Sequence, residues 1–116
     1  MQFQTNSPIY LQVIDDIRRR LVLGELAPGE KMPSVRELAL QYEINPNTAA
    51  RVYKEMESMK LCFTRRGLGT FITEDEEVFR QIRGDMAGQY IEAFITGMKS
   101  LGYEADDMIQ ILKEHL

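Results

Sequence analysis

The stretch SVRELALQYEINPNT, residues 34–48, contains two helix starts separated by a short turn. Ser34 and Glu37 match a capping box, in which the serine side chain caps the helix and the glutamate reaches back to the serine amide. Asn45 followed by Pro46 is a second start signal, since asparagine caps well and proline suits a first helical turn. Two short helices joined by a tight turn form a helix-turn-helix.

Apolar spacing predicts the extent of these two helices. The earlier helix should end near Tyr42, before a turn at Glu43 and Ile44. Apolar residues recur at helical spacing in both helices, which predicts that these positions face a core. They are Val35, Leu38 and Ala39 in the earlier helix, and Ala49, Val52, Tyr53, Met56 and Met59 in the later one.

Another helix is predicted upstream, between Pro8 and Gly24. Ser7 is its candidate cap, and Pro8 suits its first turn. Between this helix and residue 34, Pro28-Gly29 signals a turn and Lys31-Met32 is a candidate edge strand. The apolar positions of the helix are Ile9, Leu11, Val13, Ile14, Ile17, Leu21 and Leu23.

After Lys60 the pattern changes from helical to alternating. Residues 62–65 and 70–73 are predicted strands, and the loop Arg66-Gly67-Leu68-Gly69 supplies the glycines that a tight hairpin requires. A hairpin directly after a helix-turn-helix is the wing of a winged helix. The two arginines at its tip contribute little to folding and suit a phosphate or a minor groove.

The helical period returns from Glu74, and Gly102 separates two final helices. The first of these helices carries a wide apolar stripe that needs a partner, and a second copy of the chain is the simplest one. In another interpretation, Tyr90, Phe94 and Met98 line a small-molecule pocket. The residues expected at the dimer interface are Phe79, Ile82, Met86, Tyr90, Phe94, Met98, Met108 and Leu112.

These patterns predict a mainly α fold with a small β-hairpin wing. Residues 1–73 are expected to form a winged helix-turn-helix domain that binds DNA, and residues 74–116 a two-helix dimerisation region. The net charge of −4 argues against nucleic acid when taken alone. However, residues 1–73 hold 10 Lys and Arg against 8 Asp and Glu, whereas residues 74–116 hold 4 against 10. The basic-leaning first part therefore suits phosphate contacts.

Composition excludes several classes of function. A single cysteine, Cys62, excludes an internal disulfide, and together with a single histidine it leaves no usual zinc set or nucleophilic triad. Burial and an inert thiol are expected for Cys62, with a redox role as the alternative. No apolar run approaches the ~20 residues of a membrane span, and the N-terminus lacks signal-peptide features. We expect a cytoplasmic protein that is not an enzyme and has no metal or cofactor.

A series of short motifs follows in order over residues 8–73. They are Pro8-Ile9-Tyr10-Leu11-Gln12, Gly24-x-Leu26-x-Pro28-Gly29, Pro33-Ser34-x-Arg36-x-Leu38-Ala39, Asn45-Pro46-Asn47-Thr48, Tyr53-x-Glu55-Met56-Glu57 and Arg65-Arg66-Gly67-x-Gly69-Thr70-Phe71. Together they strongly resemble the N-terminal domain of the GntR family of bacterial regulators. The turn at residues 45–48 with a short two-helix tail is similar to the YtrA-like subfamily. That resemblance implies a homodimeric repressor that binds a pseudo-palindromic operator and controls a transporter-type operon including its own gene.

The resemblance also implies which residues contact DNA. The recognition helix would place its N-terminal end in the major groove, where Asn47 suits adenine and Arg36 takes the position of a guanine-reading arginine. Many GntR proteins have Ser-Arg-x-Thr where this chain has Pro46-Asn47-Thr48 after Asn45, so its operator should differ. The residues expected to contact DNA are Ser34, Arg36, Asn45, Asn47, Thr48, Arg51, Arg65, Arg66 and Gly67.

Each of these assignments has an interpretation without DNA. Capping alone explains Ser34 and Asn45, and Arg36 and Arg51 also suit a solvated surface. The alternative function is a winged-helix adaptor that binds proteins rather than specific DNA. The arginine-bearing wing and the polar, asparagine-led recognition helix favour DNA. No residue supports a small-molecule effector, although none excludes one.

Overall fold

The computed structural model describes residues 1–116 and contains five helices and one two-stranded hairpin. The predicted mainly α fold with a hairpin wing is confirmed. The chain forms two compact units, residues 1–82 and residues 83–116. In chain order the elements are α1 (Ile9–Val22), α2 (Val35–Tyr42), α3 (Pro46–Ser58), β1 (Cys62–Arg65), β2 (Gly69–Ile72), α4 (Glu76–Ser100) and α5 (Ala105–His115).

One hydrophobic core joins the elements of the first unit. Helix α3 packs against α1, α2 and β1, so it lies at the centre of the unit. Burying one large aliphatic side chain contributes about 1.5–3 kcal/mol to the free energy of unfolding. The buried side chains of this core therefore account for much of the stability of the unit. The largest fully buried side chains are Val13, Ile14, Ile17, Leu38, Val52, Met56 and Ile72.

The two predicted helix starts of the helix-turn-helix are confirmed. Ser34 Oγ accepts a hydrogen bond from the Glu37 amide at 3.1 Å, and Glu37 Oε1 accepts one from the Ser34 amide at 3.0 Å. Asn45 Oδ1 accepts from the Asn47 amide at 2.7 Å and caps α3. Between the helices, Glu43 adopts a left-handed conformation (φ 55°) and ends α2.

Three sequence-based expectations at helix ends are wrong. Ser7 does not cap α1: Pro8 occupies the cap position without a side-chain bond. Val35 is 37% exposed because it lies in the first turn of α2 and borders an open groove rather than another helix. Met59 is 42% exposed because α3 already ends at Ser58.

The wing is a regular antiparallel hairpin with a third backbone segment along its open edge. Cys62 pairs with Ile72, and Arg65 pairs with Gly69 at the tip. The Met32 amide donates to the Thr70 carbonyl at 2.7 Å, and the Ile72 amide donates to the Glu30 carbonyl at 2.8 Å. The expected edge strand at Lys31 is thus reduced to one bridge, which opposes Phe71.

Helix α4 continues across the boundary between the two compact units. Helix α5 begins after Glu104, whose amide donates a hydrogen bond to Asp107 Oδ2 at 3.0 Å. Within residues 83–116 only Met86 and Met108 are buried. No helix combines the length and the apolar character needed to cross a membrane.

Candidate nucleic-acid interface

The start of α3 presents polar side chains to solvent. Asn47 and Arg51 are exposed and lie four residues apart, so they occupy one face of the helix, while Thr48 is half-buried. Asn45 is exposed, but its side-chain oxygen is already used to cap the helix. Asn47 and Arg51 are therefore the side chains at this end that are best placed for contact with a partner.

Arg51 is held by an aromatic ring from α1. Its Nη2 donates a hydrogen bond to the hydroxyl oxygen of Tyr10 at 3.2 Å, and its Cζ lies 3.9 Å from the centre of the Tyr10 ring. This contact joins residues that are 41 positions apart in the chain. Tyr10 lies within the sequence motif of residues 8–12, but its link to Arg51 depends on the packing of α1 against α3.

The start of α2 carries Ser34 and Arg36, both exposed. The Ser34 side-chain oxygen accepts a hydrogen bond from the Glu37 amide, so this side chain is already used in the capping box. The bond from the Ser34 amide is the main cause that lowers the pKa of Glu37, followed by the bond with the Ser34 side chain. Glu37 is therefore an ionised, structurally occupied carboxylate beside Arg36.

The two arginines of the wing have different surroundings. Arg65 Cζ lies 5.2 Å from the ring centre of Phe63 and 5.9 Å from that of Phe71, and these two rings stack with their centres 6.0 Å apart. Arg66 lies in the turn and is exposed together with Gly67, whose φ of +81° favours glycine. The packed rings of Phe63 and Phe71 therefore support Arg65, whereas Arg66 extends from the tip of the wing without such support.

Lys31, which the sequence predicts only as part of an edge strand, adds a further cation beside the wing. Its Cε lies 2.9 Å from the position that a side chain at Gly69 would occupy, so the lysine crosses the wing beside its turn. A groove of about 310 Å³ lies there, between the start of α2 and the wing, with Ser34 and Thr70 in its lining. No local pattern could have identified this position, because it depends on the backbone pairing of Lys31 with β2.

The arginines of this surface form no ion pair with a carboxylate. The ion pairs of the chain are Arg18–Asp15 at 3.8 Å, Arg20–Glu25 at 3.8 Å and Arg80–Glu77 at 2.8 Å. The arginines of α2, α3 and the wing take part in none of them. Their charges are thus available to phosphates. Nowhere in the chain do three or more His, Cys, Asp or Glu side chains form a group that could hold a metal ion.

The residues expected at the dimer interface fall into three groups. Ile82, Met86 and Met108 are already buried within one chain. Tyr90 is 63% and Leu112 is 41% exposed. The remaining three are half-buried, namely Phe79, Phe94 and Met98.

An apolar groove of about 510 Å³ lies between α4 and α5 within residues 83–116. It brings together exposed side chains from both helices, including Ile91, which is 56% exposed, and Ile109, which is 52% exposed. The sequence stripe on α4 indicated this surface, but Ile91 and Ile109 were not among the expected interface residues. The full lining is Tyr90, Ile91, Phe94, Ile95, Ala105, Met108, Ile109 and Leu112.

Comparison with known proteins identifies relatives along nearly the whole chain. Residues 9–72 match the family described as bacterial regulatory proteins, gntR family. The HTH-type transcriptional regulator YhcF of Bacillus subtilis (strain 168) is 46% identical over 112 residues, covering 97% of this chain and 93% of YhcF. The HTH-type transcriptional repressor YtrA of the same organism is 34% identical over 113 residues, covering 96% and 86%. A solved GntR family transcriptional regulator from Listeria monocytogenes superimposes with a TM-score of 0.88 at 38% identity, covering 97% of this chain and 98% of that one.

These matches confirm the predicted resemblance, including the similarity to YtrA-like members. They extend past the wing into α4 and α5, because each covers at least 96% of this chain. The matched proteins are transcription regulators, which confirms the expectation that the chain is not an enzyme. The chain therefore belongs to the GntR family of bacterial regulatory proteins and is a DNA-binding transcription regulator.

Proposed function

We propose that the chain is a homodimeric repressor that reads a pseudo-palindromic operator with α2, α3 and the wing. The observation that carries this proposal is the exposed set of arginines and Asn47, which lie at the two helix starts and the hairpin tip without carboxylate partners. The repressor YtrA, which the chain matches along nearly its whole length, supports repression over activation.

The proposed contacts divide into base reading and backbone positioning. Asn47, at the exposed start of α3, suits a bidentate contact to adenine, and Arg36 suits guanine. Arg65 and Arg66 suit the phosphates or the minor groove beside the major groove that α3 occupies. The proposed remaining contacts are Thr48 and Arg51 on α3, the caps Ser34 and Asn45, and the backbone at Gly67.

The proposed dimer forms through the two helices of residues 74–116, and the unit that carries the argument is residues 83–116. Only Met86 and Met108 are buried in this unit. A core of this size is too small to keep the unit folded without further contacts. Its groove is lined by apolar side chains, so a polar effector would find few hydrogen-bonding partners there. A second copy offers the same exposed Tyr90, Ile91 and Ile109, and a two-fold interface pairs such a surface with itself.

Two further parts of the proposal concern the biological setting. The similarity to YtrA-like members supports control of a transporter-type operon that includes the regulator's own gene. A repressor of this kind works in the cytoplasm, where its DNA is. The single cysteine is in keeping with a reducing compartment.

The deciding experiment is selection of duplexes from a randomised pool by the full-length protein. We expect an enriched site with two-fold symmetry, whose half-sites lie about one helical turn apart or slightly more. Binding to this duplex should weaken steeply with salt, by about 0.9 in the log–log slope for each phosphate contacted. An adaptor that binds proteins would enrich no sequence, and that result would refute the proposal. Enrichment of an asymmetric site by a monomer would refute the dimeric part alone.

A further inference from the structure

We infer that Tyr10 is a positioning residue for DNA recognition, which holds Arg51 in a fixed conformation on the face of α3 that meets DNA. The inference rests on the proposed function, because it concerns the same DNA-binding surface. Tyr10 lies in the first turn of α1 and is half-buried, whereas Arg51 is exposed. The tyrosine therefore belongs to the packed scaffold and the arginine to the contact surface.

The geometry of the pair fixes the guanidinium in two ways. The ring of Tyr10 lies 3.9 Å from Arg51 Cζ, which is a close cation–π contact, and the hydroxyl oxygen of the same ring accepts from Nη2 at 3.2 Å. A guanidinium has five N–H donors, so this bond leaves four for a partner. No carboxylate takes them, because none of the ion pairs of the chain includes Arg51.

The segment that carries Tyr10 is itself held in place. Gln12 Nε2 donates to the carbonyls of Gln4 at 2.8 Å and Ser7 at 2.9 Å, and its Oε1 accepts from the Gln4 amide at 2.8 Å. These bonds fasten the chain before α1 to the first turns of the helix. Tyr10 consequently presents its ring from a rigid position rather than from a loose terminus.

Holding Arg51 before binding reduces the conformational entropy that the arginine loses when it contacts DNA. An exposed arginine otherwise samples many rotamers, and ordering such a side chain weakens binding by roughly two- to tenfold. A residue that removes this loss raises the affinity without touching DNA. The expected signature is coupling: loss of Tyr10 should matter only while Arg51 is present.

The test is a double-mutant cycle on the full-length protein, with the duplex enriched by the wild-type protein as the probe. Tyr10→Leu, which keeps an apolar side chain for folding, should weaken binding about two- to tenfold. Arg51→Ala should weaken it at least as much, and the double variant should bind no worse than Arg51→Ala alone. Tyr10→Phe keeps the ring and loses only the hydroxyl bond, so its affinity should lie between wild type and Tyr10→Leu.

Salt dependence separates positioning from direct phosphate contact. Arg51→Ala should lower the salt slope by about 0.9 if the guanidinium meets a phosphate, whereas Tyr10→Leu should leave the slope unchanged because no charge is lost. Independent, additive losses in the double variant would overturn the inference, and so would wild-type affinity of Arg51→Ala. Neither result would count against the proposed function, because the wild-type protein would still bind its operator. Failure of the wild-type protein to enrich any duplex overturns the proposed function, and the inference with it.

Discussion

Tyr42 donates a hydrogen bond to Asp16 Oδ2 at 2.7 Å and thereby joins α2 to α1. Arg20 Nη1 donates to the same hydroxyl oxygen at 3.2 Å. Tyr42 is only 6% exposed. Burial, followed by the hydrogen bond with Asp16, raises the pKa of Tyr42 to about 12. Because an unfolded tyrosine titrates near its ordinary pKa of about 10, the raised pKa of the folded Tyr42 links stability to alkaline pH.

The stability of the protein should fall as the pH rises from about 10 towards 12. In this window the unfolded chain has lost the Tyr42 proton while the folded chain retains it, so deprotonation favours unfolding. Tyr42→Phe should lower the free energy of unfolding by about 1 kcal/mol at pH 7 and make the alkaline loss shallower. Urea midpoints at pH 7, 9, 10 and 11 measure both effects.

The exposed Tyr103 provides the matched control, since it is 40% accessible and belongs to the second unit. Tyr103→Phe should leave both the urea midpoint and its alkaline dependence unchanged. Some alkaline loss should persist in Tyr42→Phe, because burial also raises the pKa of Tyr53. Identical pH profiles for Tyr42→Phe and wild type would show that Tyr42 does not link stability to pH.

Cys62 should be unreactive in the folded protein. Burial, with a smaller effect from the charge of Glu57, raises the pKa of its thiol to about 12, so the reactive thiolate is scarce at pH 8. We expect negligible labelling by a disulfide-exchange reagent in the native state and one equivalent in urea. A Ser100→Cys variant supplies an exposed thiol that should react at once. Rapid native labelling of Cys62 would instead support a redox role.

Two glycines in α4 should be replaceable with a gain in stability. At Gly84 and Gly88 an added methyl group would meet no atom within 4 Å of the same chain. Alanine lowers the conformational entropy of the unfolded chain, so Gly84→Ala and Gly88→Ala should each stabilise the protein by about 0.5–1 kcal/mol. Gly102→Ala is the control with the opposite sign, because its φ of +88° disfavours alanine. Chemical denaturation at one fixed protein concentration measures all three, and destabilisation by Gly84→Ala would indicate that a partner covers this face.

The groove between α4 and α5 should control the oligomeric state. A carboxylate placed there would lose hydration when a second copy covers it, so Ile91→Asp and Ile109→Asp should shift the protein to monomers. Leu101→Asp is the control, because Leu101 is 73% exposed and lies outside the groove lining. The Leu101→Asp protein should remain dimeric. Sedimentation velocity over a range of concentrations measures the shift. Dimers of unchanged affinity in both groove variants would place the interface elsewhere.

The parts of the fold that could be predicted from sequence depend on neighbouring residues. The capping box at Ser34 and the Asn45-Pro46 start are complete within a few positions, so the helix-turn-helix was predictable. The prediction that Ser7 caps α1 was wrong because the interaction there is not local to the cap. Gln12, rather than a capping side chain, holds the segment before α1. Likewise the support of Arg51 comes from a ring 41 positions away, and only the packed core brings the two together.

The candidate site was predictable as a set of exposed residue types but not as a division of roles. Arg65 and Arg66 are adjacent in sequence, and the sequence predicts the same role for both at the tip of the wing. In the structure, Arg65 lies over the stacked rings of Phe63 and Phe71, which follow from the cross-strand register. Lys31 joins the wing only through pairing with β2. Register and pairing are tertiary properties, so no local pattern could assign these differences.

Base reading and backbone contact should be separable by three substitutions on the DNA-binding surface. Arg36→Ala removes a proposed guanine contact, so it should weaken binding to the selected duplex by about 1–3 kcal/mol and leave binding to random DNA nearly unchanged. Asn47→Ala should instead relax the preference at one adenine in each half-site. Arg66→Ala removes only a charge at the wing tip, and it should weaken both duplexes alike while lowering the salt slope by about 0.9. Competition binding against single-base variants of the selected duplex distinguishes the three, and equal losses of Arg36→Ala on specific and random DNA would reduce Arg36 to a phosphate contact.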